Sequence, residues 1–299
     1  MNDNAQEAFK QGTLIRGMGG FYTVLSGGMQ YTLRCKKKFR RQQLSPLVGD
    51  EVLFSPGEGE EHGWLEEILP RKTVCIRPPV ANVSLLLIVV CPTPSPDFLL
   101  VDRLMVRARR QGMRMLLVVT KGDLDDQLLL QVRTQYARSG VPVYGVCAET
   151  GEGLEALKQA MAGELCCMAG QSGVGKSTLL NALLGVHQET GEISQKIQRG
   201  KNTTRHAELL EKDGIRVLDT AGFSLLELED GMEPITLKDN YPEFAEYEGL
   251  CRFNPCYHDR EPGCAVTAAC EQGDVNPERL ARYRQLLQEV RETWRERYD

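Results

Sequence analysis

No stretch of this chain stays apolar long enough to cross a bilayer. The longest strongly apolar run, Val83 to Val90, falls far short of the roughly 20 residues that a spanning helix needs. The opening M-N-D-N-A-Q-E has neither the basic nor the apolar region of an export signal, so a cytoplasmic protein with no membrane partner is expected. Positive charge is not in excess either. The net charge of -5 argues against a wholly basic nucleic-acid binder and leaves room only for local basic patches. Internal repeats and low-complexity tracts are also missing.

What is present is ordinary for a soluble globular protein: 299 residues, 41% apolar and 26% charged, enough chain for two or three domains. There are ten cysteines. In a compartment where thiols stay reduced, metal binding or burial is expected of them rather than disulfides.

Three textures follow one another along the chain. Residues 1 to about 70 hold short β-type runs broken by glycine (T-L-I-R-G, F-Y-T-V-L-S-G-G, Q-Y-T-L-R-C, V-G-D-E-V-L-F-S-P-G), which predict a small antiparallel barrel. Pro70, Pro78 and Pro79 bracket an expected linker. From about residue 80, strands such as N-V-S-L-L-L-I-V-V and M-R-M-L-L-V-V alternate with amphipathic helices, including one over F-L-L-V-D-R-L-M-V-R-A-R-R-Q ended by Gly112. Such alternation predicts a parallel sheet covered by helices. After about Gly231 it stops, and a cysteine-bearing segment precedes a terminal helix. Asn276 and Pro277 suit that helix's N-cap and first turn, and Leu280, Tyr283, Leu287, Val290 and Trp294 form one stripe along it.

The strongest motif is G-Q-S-G-V-G-K-S-T, with Gly170, Gln171, Ser172, Gly173, Val174, Gly175, Lys176, Ser177 and Thr178 between a strand and a helix. Its glycines let backbone N–H groups converge on phosphate oxygens. Lys176 neutralises β/γ charge, and the Ser177 hydroxyl ligates Mg²⁺. Such a loop does not distinguish GTP from ATP. That choice rests on V-T-K-G-D-L, with Thr120, Lys121, Gly122 and Asp123. A carboxylate at Asp123 can accept from guanine N1–H and the exocyclic amine, a donor pair that adenine lacks. Lys121 can lay its stem along the base. Thr120 stands where Asn is usual, and the shorter hydroxyl predicts a weakened contact to the base or to the neighbouring loop. Alone, T-K-G-D also reads as a polar strand-to-helix turn.

Two further segments resemble GTPase loops. Cys147 and Ala148, in C-A-E-T-G, resemble the S-A-x loop that contacts guanine O6, with Cys in place of Ser. V-L-D-T-A-G-F resembles the D-x-x-G switch, in which Asp219 would hold Mg²⁺ through water and the Gly222 N–H would meet the γ-phosphate. Between phosphate loop and switch, G-K-N-T-T-R-H offers Thr203 or Thr204 as the switch threonine that ligates Mg²⁺.

These loops occur in the order guanine first, phosphate and switch second. In that order the chain resembles the circularly permuted GTPases, specifically the ribosome-small-subunit-dependent GTPase A family, over nearly its whole length. The resemblance implies an α/β fold: a circularly permuted P-loop GTPase domain (71–230) with an N-terminal OB-like β-barrel that binds RNA (1–70) and a C-terminal zinc-binding helical domain (231–299). It implies a monomeric GTPase, cycling between GTP and GDP with Mg²⁺, that binds the small ribosomal subunit and its 16S-type rRNA and assists late maturation. Catalysis is expected to be slow without the subunit. Position 223 is Phe rather than a water-orienting Gln, and Asn202 stands where the family has a His. Two other readings are open: a nucleotide-gated RNA-binding module with negligible catalysis, and a GTPase acting on tRNA or metal delivery.

The spacing C-x4-C-x-H-x5-C gives Cys251, Cys256, His258 and Cys264, a closed four-ligand set suited to one structural Zn²⁺, with Cys270 as competitor for the fourth position. The spacing also matches the family's zinc segment. The remaining cysteines, Cys35, Cys75, Cys91, Cys147, Cys166 and Cys167, are expected to pack in strands, and His62, His187 and His206 to lie at the surface or in loops. A basic run with one aromatic, R-C-K-K-K-F-R-R over residues 34–41, is expected on a barrel strand or the loop after it, facing RNA or merely solvent. Arg279, Arg282, Arg284, Arg291, Arg295 and Arg297 on the last helix carry the same two readings.

Overall fold

A computed structural model describes residues 9–41, 44–57, 61–75, 79–121, 126–185, 207–220 and 231–297. The chain divides into two compact units, one built from residues 1–85, 161–168 and 184–223, the other from 86–160, 169–183 and 224–299.

In the first unit, alternating apolar positions produce five strands: β1 (Lys10–Met18), β2 (Phe21–Ser26), β3 (Met29–Cys35), β4 (Glu51–Ser55) and β5 (Gly63–Ile68). β1 pairs antiparallel with both β2 and β4, β3 runs parallel to β5, and β4 pairs with β5. The order β1-β2-β3-β5-β4-β1 therefore closes on itself, leaving no open edge. Leu14, Val24, Leu33, Val52, Phe54 and Leu65 fill the interior, all fully buried. At roughly 1.5–3 kcal/mol for each such side chain, they form the barrel's main driving force. Gly63 is required where β5 meets β4, because a Cβ there would stand 2.3 Å from the Ser55 carbonyl oxygen.

Two expectations change here. The proline-flanked segment is no simple linker. Val74–Cys75 and Val80–Ala81 (β6 and β7) form an antiparallel ladder, held to the barrel by Ala81 N–H to Val48 O and by the Asn82 amide to Gly49 O. The basic run is split between the end of β3 and a short helix α1 (Lys37–Arg41), where Phe39 turns inward and is 3% exposed. The same unit holds β11 (Leu165–Ala169), β12 (Ala207–Lys212) and β13 (Ile215–Thr220). β11 and β13 are parallel, β12 and β13 antiparallel, and β12 continues onto β1 at Glu208 opposite Arg16.

The second unit begins with β8 (Leu85–Val90), followed by α2 (Phe98–Arg110), β9 (Arg114–Thr120), α3 (Asp126–Gln135), β10 (Val143–Val146) and α4 (Leu154–Met161). Every residue of β8 is buried, as expected of a strand covered on both faces. β9 and β10 are parallel neighbours, with Thr120 opposite Val146. α2 ends as its sequence predicts, with Gly112 at φ +68° after a last turn rich in arginine. α5 (Lys176–Leu184) follows the phosphate-type loop.

The tail consists of two 3-10 turns (Pro234–Asn240 and Pro242–Tyr247), α6 (Ala265–Gln272) and α7 (Pro277–Arg295). The Asn276 side chain accepts from the N–H groups of Glu278 and Arg279, so the predicted cap is the observed one. Leu280, Tyr283, Leu287 and Val290 are buried with Leu286, while Trp294 is only half-buried.

Candidate active site and metal centre

The phosphate-type loop meets the ends of β8 and β9, and the turn at Cys147 follows the neighbouring β10, where an α/β sheet places its ligands. Gly170 lies at φ +139°, and a Cβ there would stand 2.2 Å from the Val89 carbonyl oxygen. Only glycine lets this loop press against the end of β8. Gly173 and Gly175 also take positive φ. Val174 is fully buried and pins the loop, while the Ser172, Ser177 and Thr178 side chains are exposed at its mouth. Lys176 opens α5, and its Nζ donates to the carbonyls of Gly170 at 2.8 Å and Gln171 at 2.6 Å. Burial holds its pKa below that of an ordinary lysine, with Cys91 acting the other way.

Thr120 departs from expectation. Its hydroxyl donates to the Val174 carbonyl at 2.7 Å and lies 3.3 Å from the Val90 carbonyl, and the residue is only 3% exposed. The contact between the two loops, expected to be weakened by the shorter side chain, is therefore made. A hydroxyl suffices because the neighbouring loop comes close enough. Lys121 sits at φ +57°, and its Nζ donates to Thr93 at 2.8 Å and to Gly173 at 3.2 Å. Gln171 is tied as well, its side-chain oxygen accepting from the Asp97 N–H at 2.9 Å. Beside Thr120, Cys147 follows β10 and is buried, and its backbone closes a tight turn with Glu152 and Gly151; Ala148 is half-buried.

Asp219 is placed near the end of β13, opposite Glu208, and burial followed by that neighbouring carboxylate raises its pKa. Gly122, Asp123, Asn202, Thr203, Thr204 and Gly222 lie outside the described residues.

The second centre is in the tail. The donor atoms of Cys251, Cys256, His258 and Cys264 all lie within 4.8 Å of one another. Around a tetrahedral Zn²⁺, bond lengths near 2.3 Å to sulfur and 2.0–2.1 Å to nitrogen put sulfur and nitrogen about 3.6 Å apart. His258 Nδ1 is 3.6 Å from Cys251 Sγ and 3.5 Å from Cys264 Sγ. The donor set therefore suits a tetrahedral zinc ion. Backbone N–H groups of His258 and Ala265 point at Cys256 Sγ and Cys251 Sγ, which favours thiolates. Burial pushes the Cys256 thiol up to about 12, so ionising it here calls for a cation. On the far side of the ring, Nε2 faces Glu248 Oε1 at 3.3 Å. A proton on Nε2 leaves the Nδ1 lone pair free for metal. Cys270 is not in this group. It lies on α6 and packs against the tail's apolar core.

The arginines of α7 are mostly used within the protein. Arg279 is 2% exposed and bonds Asp102 and Glu243 at 2.6 and 2.7 Å. Arg282 bonds Asp102 at 2.6 Å, Arg284 donates to His258 O and Thr267, and Arg291 pairs with Asp259. Arg295 and Arg297 alone of the six are exposed. Neither the RNA-facing nor the solvated-face reading therefore holds for the other four. Fixed 3.6-residue spacing marks a buried stripe, but it does not reveal that Arg279 joins it through a partner far away in the chain.

Comparison with known proteins agrees with this geometry. A family model described as the RsgA N-terminal domain matches residues 11–65, and one described as RsgA GTPase matches residues 68–229. A relative from Ruminiclostridium cellulolyticum, named small ribosomal subunit biogenesis GTPase RsgA, is 42% identical over 287 residues, covering 94% of each chain. Among solved structures, YjeQ from Thermotoga maritima superposes with a TM-score of 0.81 at 33% identity, covering 95% of this chain and 99% of that one. YloQ, described as a circularly permuted GTPase, gives 0.79 at 28% identity, covering 98% of both chains. The expected fold class is borne out: a permuted α/β GTPase fold, an N-terminal barrel and a Cys3His tail. The chain belongs to the RsgA GTPase family.

Proposed function

We propose that this chain is a GTP hydrolase that binds the small ribosomal subunit, assists its late maturation and leaves after hydrolysis. The observation that carries the reading is the Thr120 hydroxyl bond to Val174, which joins the guanine-type loop to the phosphate loop of one site. Asp123 would read guanine, Lys121 would flank the base, and the turn at Cys147 and Ala148 would close over its O6 side. The loop from Gly170 to Thr178 would hold the phosphates, with Lys176 matching β/γ charge. Ser177 and one of Thr203 and Thr204 would hold Mg²⁺, with Asp219 reaching it through water. When bound, that ion draws charge off the γ-phosphate oxygens. Gly222 would sense the γ-phosphate, and Asn202 would help to orient water.

In the tail, Cys251, Cys256, His258 and Cys264 would hold one structural Zn²⁺. The division of labour is residues 1–70 for RNA contact, 71–230 for nucleotide and 231–299 for the zinc-stabilised tail. The partner is the small subunit through 16S-type rRNA, met by a monomer in the cytoplasm. Among the described residues no helix is long and apolar enough to cross a membrane.

Phosphate release from GTP, measured with and without purified small subunits, tests the reading. Slow release that rises strongly with subunits is expected. An unchanged rate at saturating subunit concentration would refute it.

A further inference from the structure

Two of the largest exposed rings in the barrel lie in one row with a guanidinium between them. Phe21 on β2 is 37% exposed and Trp64 on β5 is 45% exposed. Strand register places Phe21 opposite Arg34 on β3, and Arg34 opposite Trp64. Leu33 and Leu65, the next residues along β3 and β5, are fully buried, so by strand alternation Arg34 and Trp64 face outward. The Arg34 guanidinium stands 4.9 Å from the Phe21 ring centroid, and the exposed His62 ring meets the same Phe21 edge-on at 4.9 Å. Packing does not account for a tryptophan left almost half in water.

The chemistry of the row favours a planar, anionic partner. Aromatic faces stack on nucleobases of any sequence, and a guanidinium both stacks and donates to phosphate. Bases already paired in a duplex offer no free face, so the row selects unpaired ones. Lys36 pairs with Glu66, two residues after Trp64, which neutralises that carboxylate. The row also opens the basic run in which Lys38 and Arg41 are exposed. Finally, it lies across β2 and β3, the face by which small barrels of this kind take single strands.

We propose that Phe21, Arg34 and Trp64 form a stacking platform for one or two unpaired nucleotides of RNA. The proposal deepens the ribosomal reading above by naming the part of the RNA that the barrel takes.

The test uses the full chain carrying Trp294→Phe, so that Trp64 is the only tryptophan. It is titrated with an oligoadenylate of about 12 nucleotides, within the roughly 4–16 nucleotide footprint of such barrels. The same oligonucleotide annealed to its complement is titrated in parallel. Quenching of Trp64 fluorescence by the single strand and much weaker binding of the duplex are expected. Trp64→Ala and Arg34→Gln, scored by anisotropy of a labelled strand, should each weaken binding about tenfold, and Trp64→Phe should restore most of it. Equal binding of duplex and single strand, or unchanged Trp64 emission at saturation, would overturn the platform. So would a Trp64→Ala chain that loses association with small subunits yet binds the oligonucleotide normally, because the row would then dock a protein. Subunit stimulation of GTP hydrolysis is read separately, so failure of the platform and failure of the ribosomal function give different results.

Discussion

Thr120→Val removes one hydroxyl and leaves the side-chain shape intact. In the structure that hydroxyl donates to the Val174 carbonyl at 2.7 Å, with Thr120 3% exposed and Val174 fully buried. Without it, that carbonyl loses a partner in a place where water has little access, at a cost of about 1–3 kcal/mol. Because the bond lies within the protein, its loss should appear first in stability, as roughly 2–4 °C of melting temperature for each kcal/mol in a domain of 150–250 residues. Nucleotide affinity falls only by the share of that energy spent holding the phosphate loop in its binding shape. If half is so spent, GDP binding weakens by about 2- to 12-fold. Titration with a fluorescent GDP analogue measures it, and the ratio of GTP to xanthosine triphosphate affinity should not move. Thr120→Ser, which restores the donor, should recover both quantities. A variant that melts lower yet binds nucleotide with undiminished affinity would refute the claim that this tether organises the site.

Four further outcomes are expected. Lys176→Ala should lower GTP affinity by at least about tenfold, since charge-assisted hydrogen bonds contribute about 1.5–3 kcal/mol each; retained affinity in the same titration would remove Lys176 from the phosphate site. Asp123→Asn should shift preference from guanine toward xanthine nucleotides in a competition assay, and unchanged selectivity would mean that another group reads the base. Cys264→Ser should bring zinc, measured by atomic absorption, from about one per chain toward none, and full retention would exclude Cys264 as an essential ligand. Asp102→Asn should destabilise the second unit by about 3–5 kcal/mol in urea, because it leaves the buried Arg279 without its main counter-charge; a loss under about 1 kcal/mol would show the cluster to be energetically idle.

The family and its loops were legible because their signals are local. Gly170 to Thr178 is a continuous loop whose residue types are dictated by phosphate, and Thr120 and Cys147 end strands whose apolar runs are plain. The Cys3His cluster was legible for the same reason, its four donors lying within one short segment. Less was visible where geometry arises from contacts distant in sequence. Nothing local to Thr120 tells that Val174 comes within reach of a hydroxyl. Arg279 looked like a solvated charge because its partners, Asp102 and Glu243, lie on other elements. The basic run at 34–41 looked like one strand or loop, but Phe39 prefers the barrel interior, and turning it inward takes the helix Lys37–Arg41. The aromatic side chains that do face solvent, Phe21 and Trp64, are far apart in sequence and meet through strand register alone.

Helix α2 joins the two centres within the second unit. Asp97 caps α2 through Leu100 N–H, and its own N–H holds Gln171 of the phosphate loop. Further along the same helix, Asp102 accepts from Tyr136, which follows α3, and from Arg279 and Arg282 of α7. α7 in turn reaches the metal segment, where the Tyr283 hydroxyl donates to Tyr257 O and Arg284 to His258 O. Burial lowers the Arg279 pKa, but Asp102, Glu243, Tyr241 and Tyr136 together raise it above the ordinary value, so its charge persists across the working pH range and the links do not titrate away. A buried, fully charged linkage of this kind has one favoured arrangement and serves as a fixed strut. In sequence, the segment after Asp219 that resembles the switch runs directly into the tail. The strut ties the segment that holds Cys251, Cys256, His258 and Cys264 to the phosphate-type loop through side-chain hydrogen bonds.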